Sequence, residues 1–406
     1  MIIEKGKNTN NFREKKMVWI QPTSRDKALH KMADLEVLNQ LAKRKYSIYI
    51  IKTTPKINEP SRLENSLVHI ISIPLKHLPM ILPVMRTFFL LFLLPVQILT
   101  TKLDFIIEAP DVSILSFIPI LILSKMKKVK LILDIRTVPV ETIGFRGFML
   151  KFWFVASIIV AKQFFDGITI ITSSMKKEIC TRFHINPKKV GIWTSGVSLE
   201  LFDPFKYVSE RLDFKSKLGL SEKFVVFYHG VFTNTRGLTQ TIEAMKILQN
   251  KYPDVILFLL GRGPIASNLR SLIRENGLQN NVIIHDAVDQ SEVPKFISMC
   301  NVGIVPLPDH PHWRHQSPLK LLEYLAMKKV VILTDIPAHR AVIGKNECGL
   351  YISSIKPIEI AEAIENAYMN KLNLESWGRV GREIVREKYT WEKVAVDLEN
   401  YLLSIE

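Results

Sequence analysis

Short apolar runs alternate with helix-length amphipathic segments along most of this 406-residue chain. Parallel strands covered by helices on both faces read as continuous apolar runs, so the alternation specifies βα units around parallel sheets. In the first half the runs are Val18 to Gln21, Ser47 to Lys52, Leu67 to Ile73, Phe105 to Glu108, Lys130 to Ile135, Ile168 to Ile171 and Lys189 to Trp193. A turn-rich stretch from Asp203 to Ser209 follows. A second series then begins, with FVVFYHG, DVILFLLG, NVIIHD, VGIVPL, VVILTD and GLYIS as its strands. The expectation is an α/β protein of two doubly wound domains joined near residue 205, and 47% hydrophobic residues supply a full core for each.

In such sheets ligands bind beyond the carboxyl ends of the strands, which makes the residues after each run the ones to inspect. No G-x-x-x-x-G-K-[ST] loop occurs, and no G-x-G-x-x-G follows the first strand. A nucleoside-triphosphate hydrolase and a nicotinamide dehydrogenase are thereby disfavoured. In the second series, Arg236-Gly237 opens a helix after FVVFYHG, where an Arg beside free N–H groups suits a diphosphate; a solvated loop Arg is the alternative. Gly261 and Gly263 form a tight turn after the next strand, either to admit a ligand or simply to turn.

The segment from His315 to Ala326 carries the most chemistry. Ser317 is placed to cap a helix with Pro318 at its first position and Leu319 behind it, leaving N–H groups for an anion. Lys320 and Glu323, three apart, share a face: the cation suits a phosphate, and the carboxylate suits a ribose diol. An i,i+3 surface ion pair is the competing explanation.

Charge is distributed unevenly. Residues 1–200 hold 30 Lys+Arg against 15 Asp+Glu, and residues 201–406 hold 25 against 24, so nearly all of the +16 is N-terminal. Nucleic acid, anionic membrane or a phosphorylated substrate could each take up such an excess. Scattered lysines without interleaved aromatics or a helix-turn-helix pattern argue against nucleic acid as a partner. Three dispersed cysteines without a CxxC pair argue against a disulfide framework and a zinc site, and the polar, basic start lacks the apolar core of a signal peptide. These features lead to the expectation of a cytoplasmic protein. The apolar stretch Leu78 to Thr101 is interrupted by Arg86, and its remainder falls short of the roughly 18–20 residues a spanning helix needs. Buried helices and a surface dipping into the headgroup region, with Lys125, Lys127, Lys128, Lys130, Lys151 and Lys162 nearby, both stay open.

The segment SPLKLLEYLAMKKVVILTD, with HGVFTNTRGL, LLGRGP, FDGITIITSSMKKEI and TSGVSLELFDP in order, resembles glycosyltransferase family 4 over most of residues 165–395. The resemblance implies the GT-B architecture, two Rossmann-like domains whose parallel sheets face a central cleft. An acceptor domain would occupy 1–205, a nucleotide-sugar domain 206–385, and a final helix at 386–406 would cross back to the first. It further implies retaining, metal-independent sugar transfer from a nucleotide sugar, which is a co-substrate, with no cofactor. Glu323 would be the second Glu of the family's E-x7-E element and hold the ribose, while Arg236 would stand for the Lys of its K-G pair and Lys320 would assist on the phosphates.

Two positions depart from the pattern: the first Glu of the element is His315, and a common phosphate-binding Arg is Val231. His315 is taken as a group that bonds the donor sugar or a phosphate. On the acceptor side the family's usual His is absent, and Asp134, Arg136 and Glu141 are the groups offered instead, Asp134 and Arg136 being counted with His315 as catalytic candidates. Ser24, Arg25 and Lys27 follow the first strand and could meet a phosphate or merely start a helix. The basic, apolar first half suits a lipid-linked or glycan acceptor, with the protein peripheral on the inner face of an anionic cell membrane. A non-catalytic nucleotide-sugar-binding subunit is the rival reading, and an epimerase on the same fold fits the motifs less well.

Overall fold

The computed structural model describes residues 14–21, 28–54, 66–74, 82–139 and 144–406. Ser24, Arg25, Lys27 and Glu141 lie outside them. Two compact units emerge: Met1–Ile170 with Cys180–Gly191 and Leu398–Glu406, and Ile171–Ile179 with Ile192–Asp397. The chain passes from the first unit to the second after Ile170, returns after Ile179 and passes over again after Gly191, and the helix Trp391–Ser404 contributes residues to each unit.

The first unit is built on a seven-stranded sheet. Its strands are β1 (Lys15–Ile20), β2 (Tyr46–Thr54), β3 (Val68–Pro74), β4 (Phe105–Glu108), β5 (Lys130–Ile135), β6 (Gly167–Ile170) and β7 (Val190–Ile192), in the order β3-β2-β1-β4-β5-β6-β7. β1 pairs in parallel with both β2 and β4, so the winding reverses between β1 and β4. Residues Phe105 to Glu108 are all buried, as a central parallel strand requires. From the last helix, the Tyr401 hydroxyl donates to the Lys189 carbonyl at 2.6 Å and accepts from the Ile168 N–H at 3.0 Å.

The second unit carries β8 (Phe224–Val231), β9 (Val255–Arg262), β10 (Val282–His285), β11 (Val302–Val305), β12 (Val330–Thr334) and β13 (Gly349–Ile352). Their order is β10-β9-β8-β11-β12-β13, with every adjacent pair parallel. Alternate residues feed the two faces: Phe227, Phe258 and Tyr324 pack on one, Tyr228, Leu257 and Ile304 on the other. The reversal falls between β8 and β11, and it fixes where a ligand crevice opens.

The apolar stretch of the first unit departs from its sequence expectation. It forms a 19-residue helix, Leu82–Thr100, and a second apolar helix runs from Gly144 to Phe164. Both are long and apolar enough to cross a membrane by length and composition, with 33% and 28% of the relevant windows buried. Arg86 does not interrupt the first, because its side chain is only 1% exposed and turns inward. It bonds Asp111 at 2.9 Å, Glu108 at 3.2 Å and Ser113 at 2.6 Å, with the Gln21 carbonyl as a further acceptor. The outer face is left apolar, with Phe88, Phe89, Phe92, Val96 and Leu99 exposed.

Candidate functional site

At the carboxyl end of β8 the chain passes through Tyr228, His229 and Gly230, turns at Asn234–Arg236, and enters the helix Leu238–Leu248. Gly237 makes that entry with φ +68°, and a Cβ there would sit 2.1 Å from the Pro306 carbonyl oxygen. This glycine is dictated by backbone conformation and by the close approach of the segment following β11. Gly261 and Gly263 are likewise packing positions, since a Cβ on either would meet the backbone oxygens of Gly230 and Phe232 at 1.9 and 2.2 Å.

Across the β8/β11 reversal stands the helix Leu319–Ala326. Glu323 is buried on it, and its Oε2 lies 3.2 Å from His229 Nε2. The competing explanation of an exposed ion pair with Lys320 therefore fails for lack of exposure. Lys320 is half-buried, its Nζ 3.9 Å from the centre of the Tyr228 ring. A side chain at Gly230 would come within 3.1 Å of that Nζ. Arg236, also half-buried, lies 4.3 Å from the centre of the Trp313 ring, held by attraction of the cation to the aromatic face. Tyr324 anchors the helix to β8 by donating its hydroxyl to the Phe227 carbonyl at 3.0 Å.

The electrostatics of this cluster are those of charges removed from water. Burial pushes the Lys320 ammonium well below its usual value, with Arg236 adding repulsion and Glu323 opposing. Burial also lowers the Arg236 guanidinium. Burial raises Glu323 to about 7, against the pull of Lys320 and a hydrogen bond from Gln290. His229 is driven well below 6.5 by burial and by Lys320. His312, edge-on to Trp313, falls to about 4 through burial and then the Arg236 charge. Two desolvated cations beside a carboxylate poised between its two forms can receive an anion and a hydrogen-bond donor at one place.

Ser317 takes a part other than the expected one. Ser317 does not cap the helix: Pro318 occupies the cap position, without a side-chain bond. The Ser317 hydroxyl instead lies 2.9 Å from Thr194 Oγ1 and accepts from the Ser195 N–H at 3.2 Å, partners remote in sequence. His315 is engaged within its own unit, with Nε2 2.6 Å from Glu178 Oε2 and its carbonyl accepting from Thr172 Oγ1 at 2.9 Å. Val231 is 47% exposed at the strand end and supplies no charge.

Asp134 and Arg136 belong to the first unit, at and just beyond the carboxyl end of β5. Both are buried; Asp134 accepts from Thr169 Oγ1 at 2.7 Å, and burial lowers the Arg136 guanidinium against the pull of Asp134 and Asp34. The structure therefore brings together Arg236, Lys320 and Glu323 in one unit, and Asp134 with Arg136 in the other. His229, Tyr228 and Trp313 escaped sequence reasoning, although the first two end an apolar run and lie where ligand residues are sought. No group of three or more His, Cys, Asp or Glu side chains arranged to hold a metal occurs among the described residues.

Residues 210–384 match the family model described as Glycosyl transferases group 1. An uncharacterised glycosyltransferase of Methanocaldococcus jannaschii is 23% identical over 249 residues, 59% of this chain and 60% of that protein. The D-inositol 3-phosphate glycosyltransferase of Paenarthrobacter aurescens is 22% identical over 57% of this chain and 55% of its own length. The chain thus spans between about half and three fifths of the length of these curated relatives. Among solved structures, a glycosyltransferase from Rickettsia africae superposes with a TM-score of 0.74 at 14% identity, covering 97% of this chain and 100% of its own. Anabaena HepE in complex with UDP superposes with a TM-score of 0.71 at 11% identity, covering 96% and 100%. The fold is the GT-B fold of these structures, with two doubly wound Rossmann-like domains.

Proposed function

We propose that this chain is a retaining, metal-independent glycosyltransferase that moves a sugar from a nucleotide-sugar donor to a lipid-linked or glycan acceptor at the cytoplasmic face of the cell membrane. The observation that carries the reading is the grouping of Arg236, Lys320 and buried Glu323 at the β8/β11 reversal. Glu323 accepts the two hydroxyls of the ribose, and Lys320 and Arg236 meet the diphosphate. The group 1 match over the same residues and the UDP held by HepE support a nucleotide sugar as the donor.

The chemistry follows from where charge develops. As the bond from the anomeric carbon to the diphosphate oxygen breaks, the leaving group gathers negative charge and the sugar becomes cationic. Fixed cations, already desolvated, stabilise that charge without reorganising solvent. Lys320 and Arg236 therefore do more for the transition state than for the ground state. His315, paired with Glu178, lies four residues before Leu319 and contributes to the donor sugar or its phosphate. On the acceptor side, Asp134 and Arg136 orient the incoming hydroxyl. That hydroxyl attacks on the face the diphosphate leaves, and its proton passes to the departing oxygen, which retains the configuration.

The membrane part rests on residues 1–200, which hold nearly all of the excess positive charge, and on exposed apolar side chains of the first unit. Phe92 and Ile122 are each 74% exposed, and Phe148 and Phe152 project from the second apolar helix. Lys125, Lys127 and Lys128 stand at the end of the helix Ile120–Lys127 that carries Ile122. Such a surface suits a lipid interface. The test is to offer UDP-, GDP- and dTDP-sugars to the purified full chain and follow sugar release by NMR. Turnover of an α-linked donor to the α anomer first supports the reading; the β anomer first contradicts retention. Binding without turnover of any donor favours the non-catalytic subunit.

A further inference from the structure

At the amino ends of its strands the first unit holds a cavity of about 500 Å³. Lys15 and Lys130, which open β1 and β5, line it together with Lys125 and Lys128. Three carboxylates complete the charged lining: Asp104 and Asp166, just before β4 and β6, and Glu406. The volume is that of a small-ligand site. Asp134 and Arg136 stand at the other end of β5, so this cavity is separate from the acceptor groups.

Two of the lysines are already engaged. Lys15 pairs with Glu406, and Lys130 Nζ lies 3.5 Å from Asp166 Oδ1. Asp166 Oδ2 also accepts from the Leu131 N–H at 2.9 Å, and Asp104 accepts from the Lys16 N–H at 2.8 Å, which fixes the strand ends. Lys125 and Lys128 differ: both are exposed, and neither side chain has a hydrogen bond or ion pair among the described residues. Lys128 ends the helix Ile120–Lys127 in the left-handed conformation, its N–H turned back to the Ser124 and Lys125 carbonyls, and both lysines line the one cavity. Two unpaired cations on a cavity wall complement an anion, and carboxylates beside them accept from hydroxyls.

The same helix carries an apolar stripe. Ile118, just before it, and Ile122 and Met126 on it are spaced by four and are 59%, 74% and 74% exposed. Lys125 is adjacent to Met126 and three residues from Ile122, so it stands on the border between stripe and cavity. A free anion gains nothing from such a neighbour, whereas a lipid does.

We propose that this cavity seats the headgroup of an anionic phospholipid, a phosphodiester with free hydroxyls. Lys125 and Lys128 hold the phosphate, Asp166 and Glu406 accept from the hydroxyls, and the acyl chains leave along Ile118, Ile122 and Met126. The proposal rests on the membrane reading above and adds a defined site to it, where diffuse attraction would make every exposed lysine equivalent. Four lysines against three carboxylate side chains leave one positive charge, which complements the single negative charge of a phosphodiester. A headgroup with its own carboxylate, such as that of phosphatidylserine, meets repulsion from Asp104, Asp166 and Glu406.

The test is flotation of the full chain on phosphatidylcholine vesicles carrying equal fractions of phosphatidylglycerol or phosphatidylserine. Lys125→Gln with Lys128→Gln removes the two cavity cations, and Lys127→Gln with Lys151→Gln removes two lysines of the same unit that do not line the cavity. All four are exposed, so the variants keep the fold. The wild type should prefer phosphatidylglycerol vesicles roughly tenfold, the cavity pair should lose that preference, and the other pair should keep it. Equal binding to the two vesicles, or equal losses from the two pairs, overturns the proposal while leaving the membrane reading in place. A wild type that floats on neither vesicle overturns the membrane reading and the proposal with it. Glycerophosphoglycerol and inorganic phosphate, added at matched ionic strength, separate a headgroup from a free anion: displacement from phosphatidylglycerol vesicles by the first alone is expected. Equal displacement by phosphate, or displacement by neither, overturns the headgroup site.

Discussion

His229 Nε2 and Glu323 Oε2 lie 3.2 Å apart at the carboxyl end of β8, and burial moves both toward their neutral forms. Glu323 titrates at about 7 in the unliganded protein, so near neutrality it is divided between acid and carboxylate. A ribose diol donates hydrogen bonds and so selects the carboxylate. Donor affinity is accordingly predicted to rise with pH through about 7 and to fall again at higher pH, where the lowered Lys320 ammonium gives up its proton. In Glu323→Gln the rise through about 7 should be absent and the affinity lower throughout. Titration calorimetry with UDP-glucose across that range measures both effects.

Arg236 holds its guanidinium carbon 4.3 Å from the centre of the Trp313 ring, and a guanidinium can lie on an aromatic face while its N–H edge bonds a phosphate bidentately, as lysine cannot. Arg236→Lys should weaken nucleotide-sugar binding roughly tenfold, the equivalent of about 1.4 kcal/mol, through loss of bidentate bonding and of the stack. Arg236→Ala should cost more, on the order of 2–3 kcal/mol. The same calorimetry decides, and an Arg236→Lys protein binding like wild type would remove Arg236 from the phosphate site.

Gly237 and Gly277 share the left-handed conformation, at φ +68° and +67°, but differ in surroundings. A Cβ at 277 meets nothing within 4 Å, whereas one at 237 meets the Pro306 oxygen at 2.1 Å. Gly277→Ala should therefore destabilise by about 1–2 kcal/mol, the backbone cost alone. Gly237→Ala should add an overpacking cost of roughly 1–3 kcal/mol and displace Arg236 from Trp313. Urea denaturation of the two variants checks the difference. Equal losses would contradict the close approach of the 306 segment.

The exposed face of the helix Leu82–Thr100 gives a prediction independent of the nucleotide site. Phe88→Ser with Phe92→Ser should change folding stability by no more than about 0.5 kcal/mol, because both rings are already exposed. The same pair should weaken binding to vesicles containing anionic lipid by tenfold or more, since a Phe transferred from water to lipid contributes about 1.5–3 kcal/mol. Replacing Lys125, Lys127 and Lys128 by Glu should weaken it further and remove its salt dependence. Vesicle flotation at low and high salt reads both changes. Undiminished flotation of the Phe variants would exclude this face as the lipid contact.

The strands could be read from the sequence because parallel strands buried on both faces leave continuous apolar runs, and every run named from the sequence overlaps a strand. That Lys320 and Glu323 lie on one helix three residues apart is equally accessible, since local spacing alone decides it. Arg86 reads as an interruption in the sequence because its partners, Gln21, Glu108, Asp111 and Ser113, are brought to it only by the fold. Ser317 reads as a cap for the same reason: its competing partner, the Ser195 N–H, is 122 residues away. His229, Trp313 and Glu108 carry no motif of their own, and only tertiary packing shows which charged or aromatic group each one faces.

The central claim is that Glu323, with Lys320 and Arg236, holds a nucleotide sugar, and the most direct measurement is thermal stabilisation of the full chain by a panel of nucleotide sugars, wild type against Glu323→Ala. One donor of the panel should raise the wild-type midpoint by several degrees, about 2.7 kcal/mol of stabilisation at a hundredfold excess over Kd. The same donor should leave Glu323→Ala nearly unmoved. A wild-type protein that no nucleotide sugar stabilises, or a Glu323→Ala protein stabilised as fully as wild type, would contradict the account.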